Sequence, residues 1–181
     1  MELHTAFDLS LTHFLSAASI AGAAFVIAWK LALLLSKKEN KFFAFVSRNV
    51  LPIGFLVSFG GMVMSLVYSE VFHYAPCDLC WFQRIFLFPT AFLFAYAWWK
   101  KDRNILAYAL VLSIAGFLIA GYHHLLQMGY SVYKPCSTAP FAVDCSTPSF
   151  IEFGFVTFPF WALVLFGLLS IIIMTAVRFK K

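Results

Sequence analysis

Four cysteines are the residues of this sequence best suited to chemistry. Cys77 and Cys80 stand two residues apart, and Cys136 and Cys145 are separated by eight. A thiolate is both the nucleophile of disulfide exchange and the metal-binding form of cysteine. Either pair can therefore move electrons, hold a metal or staple the chain. The first pair lies in the stretch PCDLCWFQR, residues 76–84. Pro76 suits the first turn of a helix, where its missing N–H costs nothing, so the motif is expected to open a helix. The N-terminus of a helix favours a thiolate. At about 100° per residue, Cys77, Cys80 and Arg84 share one helix face. An arginine beside a sulfur favours its charged form. Zinc needs four ligands, typically two close pairs. The second cysteine pair is too widely spaced for that, and His73, His123 and His124 sit at the ends of apolar segments. No metal site is expected. A C-x-x-C cross-link closes a very short loop and constrains little of the unfolded chain, so a purely structural bond is disfavoured.

The second pair lies between Tyr133 and Cys145, a stretch with Pro135, Pro140 and small polar residues that reads as an exposed, mobile loop. Four cysteines allow three pairings, of which the simplest is local, Cys77 with Cys80 and Cys136 with Cys145. A loop disulfide beside a helix-borne C-x-x-C suggests a relay. The outer pair would meet a protein and the inner pair something held in lipid.

The elements that must position these residues follow from composition. The chain has 181 residues, of which 62% are apolar and 12% charged. Soluble domains carry about 25% charged residues, so lipid is the expected solvent. There is no phosphate-binding glycine loop and no basic stripe, which sets nucleic acid aside. A bilayer core needs about 20 apolar residues in a helix. Five segments meet this, near 12–35, 50–72, 81–99, 104–126 and 154–177. Continuous apolar runs of that length exclude barrel strands. Lys37, Lys38, Lys41 and Arg48 lie between the first two spans, Lys100, Lys101 and Arg103 between the third and fourth, and Arg178, Lys180 and Lys181 after the fifth. The opposite loops hold Lys134 alone. Basic loops stay in the cytoplasm. The N-terminus and all four cysteines are thus expected outside, the oxidising side where disulfides persist, and the C-terminus inside. A cleaved signal peptide is not expected, because residues 1–10 carry Glu2 and Asp8 and no Lys or Arg.

The motif at 76–84 resembles the signature of the disulfide bond formation protein B family, which includes DsbB and the related BdbC oxidoreductases. Two further stretches are similar to that family: Tyr122 to Gln127 (YHHLLQ) resembles the end of its third core helix, and Glu152 to Leu163 (EFGFVTFPFWAL) the entry into its last. The likeness covers about residues 50–177. It implies an all-α membrane fold, a four-helix transmembrane core at 49–181. An accessory N-terminal transmembrane helix and a basic cytoplasmic loop at 1–48 lie outside that core. Ser16, Ser19, Gly22 and Ala23 would let the extra helix pack closely.

The resemblance also implies a function: a thiol:quinone oxidoreductase of the bacterial cytoplasmic (inner) membrane. It would reoxidise a soluble DsbA-like thioredoxin-fold partner and reduce ubiquinone or menaquinone. In that reading Cys136 forms the mixed disulfide with the partner and Cys145 completes the loop pair. Cys77 and Cys80 are the quinone-side pair, Cys80 being the thiolate at the quinone. Arg84 supports that contact, and His123, with His124 as near alternative, faces the head group. Phe72, Tyr74, Trp81, Phe82 and Phe158 could wall the head group or simply form the interfacial aromatic belt. The spacing of Cys136 and Cys145 is short, as in the BdbC branch. Two rival readings are a vitamin K epoxide reductase-like quinone reductase, whose C-x-x-C falls in the reverse chain order, and a non-enzymatic metal-binding membrane protein.

Overall fold

A computed structural model describes residues 2–35, 40–130 and 143–179. The described residues form α1 (Glu2–Leu35), α2 (Lys41–Arg48), α3 (Val50–Leu66), which runs on into a π-helical turn at Val67–Val71, α4 (Asp78–Lys100), α5 (Leu106–Gln127) and α6 (Phe158–Arg178). Among them there is no strand, only a single bridge between Glu152 and Val156. Five helices are long and apolar enough to cross a membrane. Large apolar side chains such as Phe92, Trp99 and Leu118 point outward, as they must when the surrounding solvent is hydrocarbon. The chain is an all-helical, multi-pass membrane protein.

α3 packs on α4, α4 on α5, α5 on α6, and α6 back on α3. α6 is the most enclosed helix, with Phe166, Leu169, Ile172, Ile173 and Ala176 fully buried. Close approach is set by glycines. A Cβ on Gly116 would lie 2.4 Å from the Phe166 ring, and one on Gly54 would lie 2.5 Å from the Phe94 ring. In lipid, where apolar burial drives association weakly, such fits determine which faces meet. α1 lies along α6. Ser16 and Ser19 are buried, and a Cβ on Gly22 would stand 3.1 Å from Val164.

The expected spans differ from the helices mainly at their ends. α1 starts ten residues earlier than 12, and α6 starts at Phe158 rather than 154 because Glu152–Val156 closes a turn, with Phe153 and Gly154 at positive φ. The basic link before the second span contains α2. Asn40 caps it by accepting from the Phe43 N–H, and Phe43 and Val46, three residues apart, bury one face. The basic residues masked this short amphipathic helix. Lys37 and Lys38 lie outside the described residues.

The helix ends with basic residues are tied together. Arg103 donates to the Ser47 carbonyl at 3.0 Å, Arg178 donates to the Leu33 carbonyl at 2.6 Å, and the Ser47 hydroxyl donates to the Phe179 carbonyl. Cys77, Cys80 and Cys145 occupy the other end of the bundle.

Candidate redox site

α4 begins at Asp78, with Cys77 as its cap residue in extended conformation. Pro76 therefore stands just ahead of the cap rather than in the first turn as expected; the cysteine takes the boundary. The Cys77 side chain does not close the usual cap bond. Its Sγ lies 3.2 Å from Cys80 Sγ and 3.6 Å from His123 Nε2. Both thiols are free, so this is the reduced dithiol.

His123 is fully buried and surrounded by polar partners. Its Nδ1 meets the Gln83 amide nitrogen at 3.0 Å. Its Nε2 meets the Cys145 carbonyl at 3.2 Å and the Gln127 amide at 3.3 Å. Nε2 faces both the Cys77 sulfur and the Cys145 carbonyl, so the ring bridges the two segments. His124 turns the other way, to Thr157 Oγ1 at 3.2 Å and the Phe160 ring. Of the two histidines, the fold brings His123 to the sulfurs.

Hydrogen bonding from the Cys80 thiol holds the Cys77 thiol far below its ordinary value, at about 4. Burial opposes this, and His123 reinforces it by hydrogen bond and charge. The pair shares one proton, and Cys77 carries the anion because it has the extra donor. The family resemblance placed the thiolate on Cys80. The two positions are reconciled once Cys77 is engaged in another disulfide, because Cys80 is then the lone sulfur. A depressed thiol stabilises the reduced state. That stabilisation is full above the free-thiol value of ~8.5, shrinks as pH falls and is gone below about 4. A dithiol stabilised in this way belongs to an oxidising disulfide. Alkylation of the reduced protein by iodoacetamide, followed by mass mapping of the peptide with Cys77, should be half-maximal near pH 4 rather than ~8.5. A midpoint above pH 7 would refute the assignment.

Cys145 departs most from expectation. The loop read as exposed, yet Cys145 is completely buried and packs with Cys77, Leu79 and Leu126 in one cluster. It is disulfide-bonded. Asp144 accepts from the Ser146 N–H and hydroxyl, folding the chain over it. Cys136 lies outside the described residues.

A cavity of about 180 Å³ opens beside Cys77 and Cys80, with Arg84, Tyr68, Tyr74 and Phe158 in its wall. Arg84 is only 8% exposed. It donates from Nε to Ser65 Oγ and from Nη2 to the Ser65 carbonyl, both at 3.0 Å, and lies over the Trp81 ring. Of the five aromatics singled out, Tyr74 and Phe158 line the cavity, while Phe72, Trp81 and Phe82 do not. Phe158 stands edge-on to Tyr68 and Tyr74. Sequence reasoning missed Ser65 and Tyr68, which arrive from a distant helix, and Gln83. Gln83 was in plain view inside the motif, but its partner is 40 positions away.

Fold and site together define a class, a multi-pass membrane protein with a close pair of thiols at one end of its helices. The profile of the family described as Disulfide bond formation protein DsbB matches residues 47–176. The chain belongs to this family and is, like it, a disulfide-generating oxidoreductase. It is 38% identical over 115 residues to the SPbeta prophage-derived disulfide bond formation protein B of Bacillus subtilis, covering 64% of this chain and 76% of the relative. It is 37% identical over 128 residues to disulfide bond formation protein C of the same organism, covering 70% and 90%. A probable disulfide formation protein of Chlamydia caviae is 36% identical over 138 residues, covering 76% and 98%. No solved structure matches.

Proposed function

We propose that this enzyme oxidises the dithiol of a soluble, DsbA-like thioredoxin-fold protein outside the bacterial cytoplasmic (inner) membrane and passes the electron pair to a membrane quinone. Residues 49–181 are the four-helix catalytic core and residues 1–48 an accessory segment. The basic end lies in the cytoplasm, as its Lys and Arg content demands. The observation that carries the reading is the burial of Cys145 against Cys77, with Cys80 and Arg84 opening onto the adjoining cavity.

The exchange runs through this chain's sulfurs. A partner thiolate attacks Cys136 of the Cys136–Cys145 disulfide and releases Cys145 as a thiolate. The partner's second thiolate then cleaves the mixed bond and departs as a disulfide, leaving Cys136 reduced. Cys145 attacks Cys77 of the Cys77–Cys80 disulfide, and Cys80 leaves as a thiolate. Cys136 attacks Cys145, restoring the loop disulfide and releasing Cys77. His123, between Cys77 and the Cys145 carbonyl, holds the two reacting segments together and donates to the emerging Cys77 sulfur. A quinone would supply the sink for two electrons and two protons, restoring the Cys77–Cys80 bond. The lining fits such a head group: a guanidinium as donor and the rings of Tyr68, Tyr74 and Phe158 around one cavity. Arg84, held by Ser65, sets a fixed cation beside Cys80 for an anionic sulfur and a ring oxygen.

Arg84→Ala should raise the KM for a short-chain ubiquinone about tenfold or more, the scale of a charge-assisted hydrogen bond. Reduction of the loop disulfide should stay near its original rate. Equal loss at both steps would mean a damaged fold instead.

A second reading, metal binding, has one observation in its favour. The ligand atoms of Cys77, Cys80 and His123 all lie within 4.8 Å of one another. Three ligands with an open position would suit a thiophilic ion. Metal analysis of the reduced protein separates the readings: stoichiometric zinc retained after purification would support this one, and its absence with quinone turnover the first.

A further inference from the structure

We propose that α1 is a positioning element of the quinone cavity, acting through Asp8 and Thr12 on the two tyrosines of its wall. The inference rests on the quinone reading above. It concerns a helix that precedes the family match at 47–176.

The contacts are specific. Tyr74 donates its hydroxyl to Asp8 Oδ2 at 2.9 Å, and the Tyr68 hydroxyl and Thr12 Oγ1 lie 2.9 Å apart in a buried pair. Thr12 also reaches Asp8 Oδ1 at 3.3 Å. Asp8 and Thr12 are four residues apart on one face of α1, so a single helix turn holds both rings. The rings meet each other, with centroids 5.8 Å apart, and both meet Phe158 edge-on. All three rings line the cavity that also holds Cys80 and Arg84. One position further along, His13 meets Glu152 at 3.1 Å, so the same turn of α1 touches the segment that follows Cys145. At the far end of the helix Arg178 fixes the Leu33 carbonyl, which sets the height of α1 against α6.

A tyrosine at a cavity rim has two rotatable bonds and a hydroxyl that needs a partner. Inside lipid an unpartnered hydroxyl costs free energy, so Tyr68 and Tyr74 would swing toward any acceptor within reach, a quinone oxygen included. Asp8 and Thr12 supply those acceptors from outside the cavity. The rings then present their faces and edges to the ligand while the hydroxyls stay turned away. Burial, with the neighbouring carboxylate, pushes the Tyr74 hydroxyl up to about 12, so at neutral pH it remains a donor and the contact persists. The chemical consequence is a cavity of fixed width with an aromatic wall, selective for a flat ring of one size.

The test uses the full chain in lipid nanodiscs, with dithiothreitol as reductant and a short-chain ubiquinone as probe. Asp8→Leu should raise the quinone KM about five- to tenfold, the scale of one charge-assisted hydrogen bond. Its kcat, and its rate of reduction by dithiothreitol without quinone, should change less than about twofold on the same scale. Asp8→Asn, whose amide oxygen still accepts from Tyr74, should restore a KM close to the parent's. Tyr74→Phe removes the same bond from the other side, and combining it with Asp8→Leu should add nothing further. Should Asp8→Leu fail to fold, Tyr74→Phe and Thr12→Val carry the test alone. An unchanged KM in these variants, or an equal rise in Asp8→Asn, overturns the inference and leaves the quinone reading standing. A parent protein that does not reduce the probe saturably overturns both.

Discussion

Cys80→Ser is expected to abolish quinone-coupled turnover, lowering it by roughly a hundredfold or more, because a covalent route without its leaving sulfur has no substitute. The sulfur of Cys80 lies 3.2 Å from Cys77 and borders the cavity. A serine oxygen in its place cannot form the inner disulfide, so Cys145 would find no bond to attack. The loop disulfide should survive the substitution. Each enzyme molecule would then oxidise one equivalent of partner dithiol and stop. Stopped assays should show that single-equivalent burst together with a flat quinone absorbance. Continued quinone consumption at the parent rate would remove Cys80 from the mechanism, and loss of the burst as well would point to misfolding.

The second large effect belongs to Cys145. Cys145→Ser should end partner oxidation altogether, and it should leave Cys136 as a free thiol that attacks the disulfide of an added oxidised partner and holds it as a mixed disulfide, seen as a non-reducing gel shift and identified by mass. Cys145 is fully buried beside Cys77, Leu79 and Leu126, so the substitution also leaves a hydroxyl in an apolar setting. That costs about 1–3 kcal/mol if the hydroxyl finds no partner. Low-pH alkylation of Cys77 serves as the control for an intact inner site. Undiminished turnover in this variant would show that electrons reach Cys77 by another route.

The placement of Cys145 also separates what could be read from the chain and what could not. A stretch with two prolines and several small polar residues has the composition of a surface loop. Nothing in that composition says that one end of it folds beneath Leu79 and Leu126. The decision is made by the Asp144 turn and by His123, whose Nε2 meets the Cys145 carbonyl from a helix 22 positions away. α2 was hidden for a different reason. Its lysine and arginine dominated the reading, while its buried face is only Phe43, Val46 and Ser47. The aromatics show the same limit. Tyr74, Trp81 and Phe158 look alike as interfacial residues, yet only Tyr74 and Phe158 line the cavity. Trp81 instead lies under Arg84, half exposed.

The sequence by itself determined the solvent, the helical character and the number of membrane-length segments, and it placed Cys80 and Arg84 one turn apart on the helix whose cap residue is Cys77. These depend on hydropathy and on the 3.6-residue period, which act between residues close in the chain. Only the tertiary structure decided that His123 rather than His124 meets the sulfurs, that Ser65 holds Arg84, and that Asp8 and Thr12 reach the tyrosines of the cavity. Those pairings join residues 19 to 66 positions apart. Which of them forms depends on how the helices fit at Gly54 and Gly116, since in lipid close packing rather than water expulsion sets which helix faces meet.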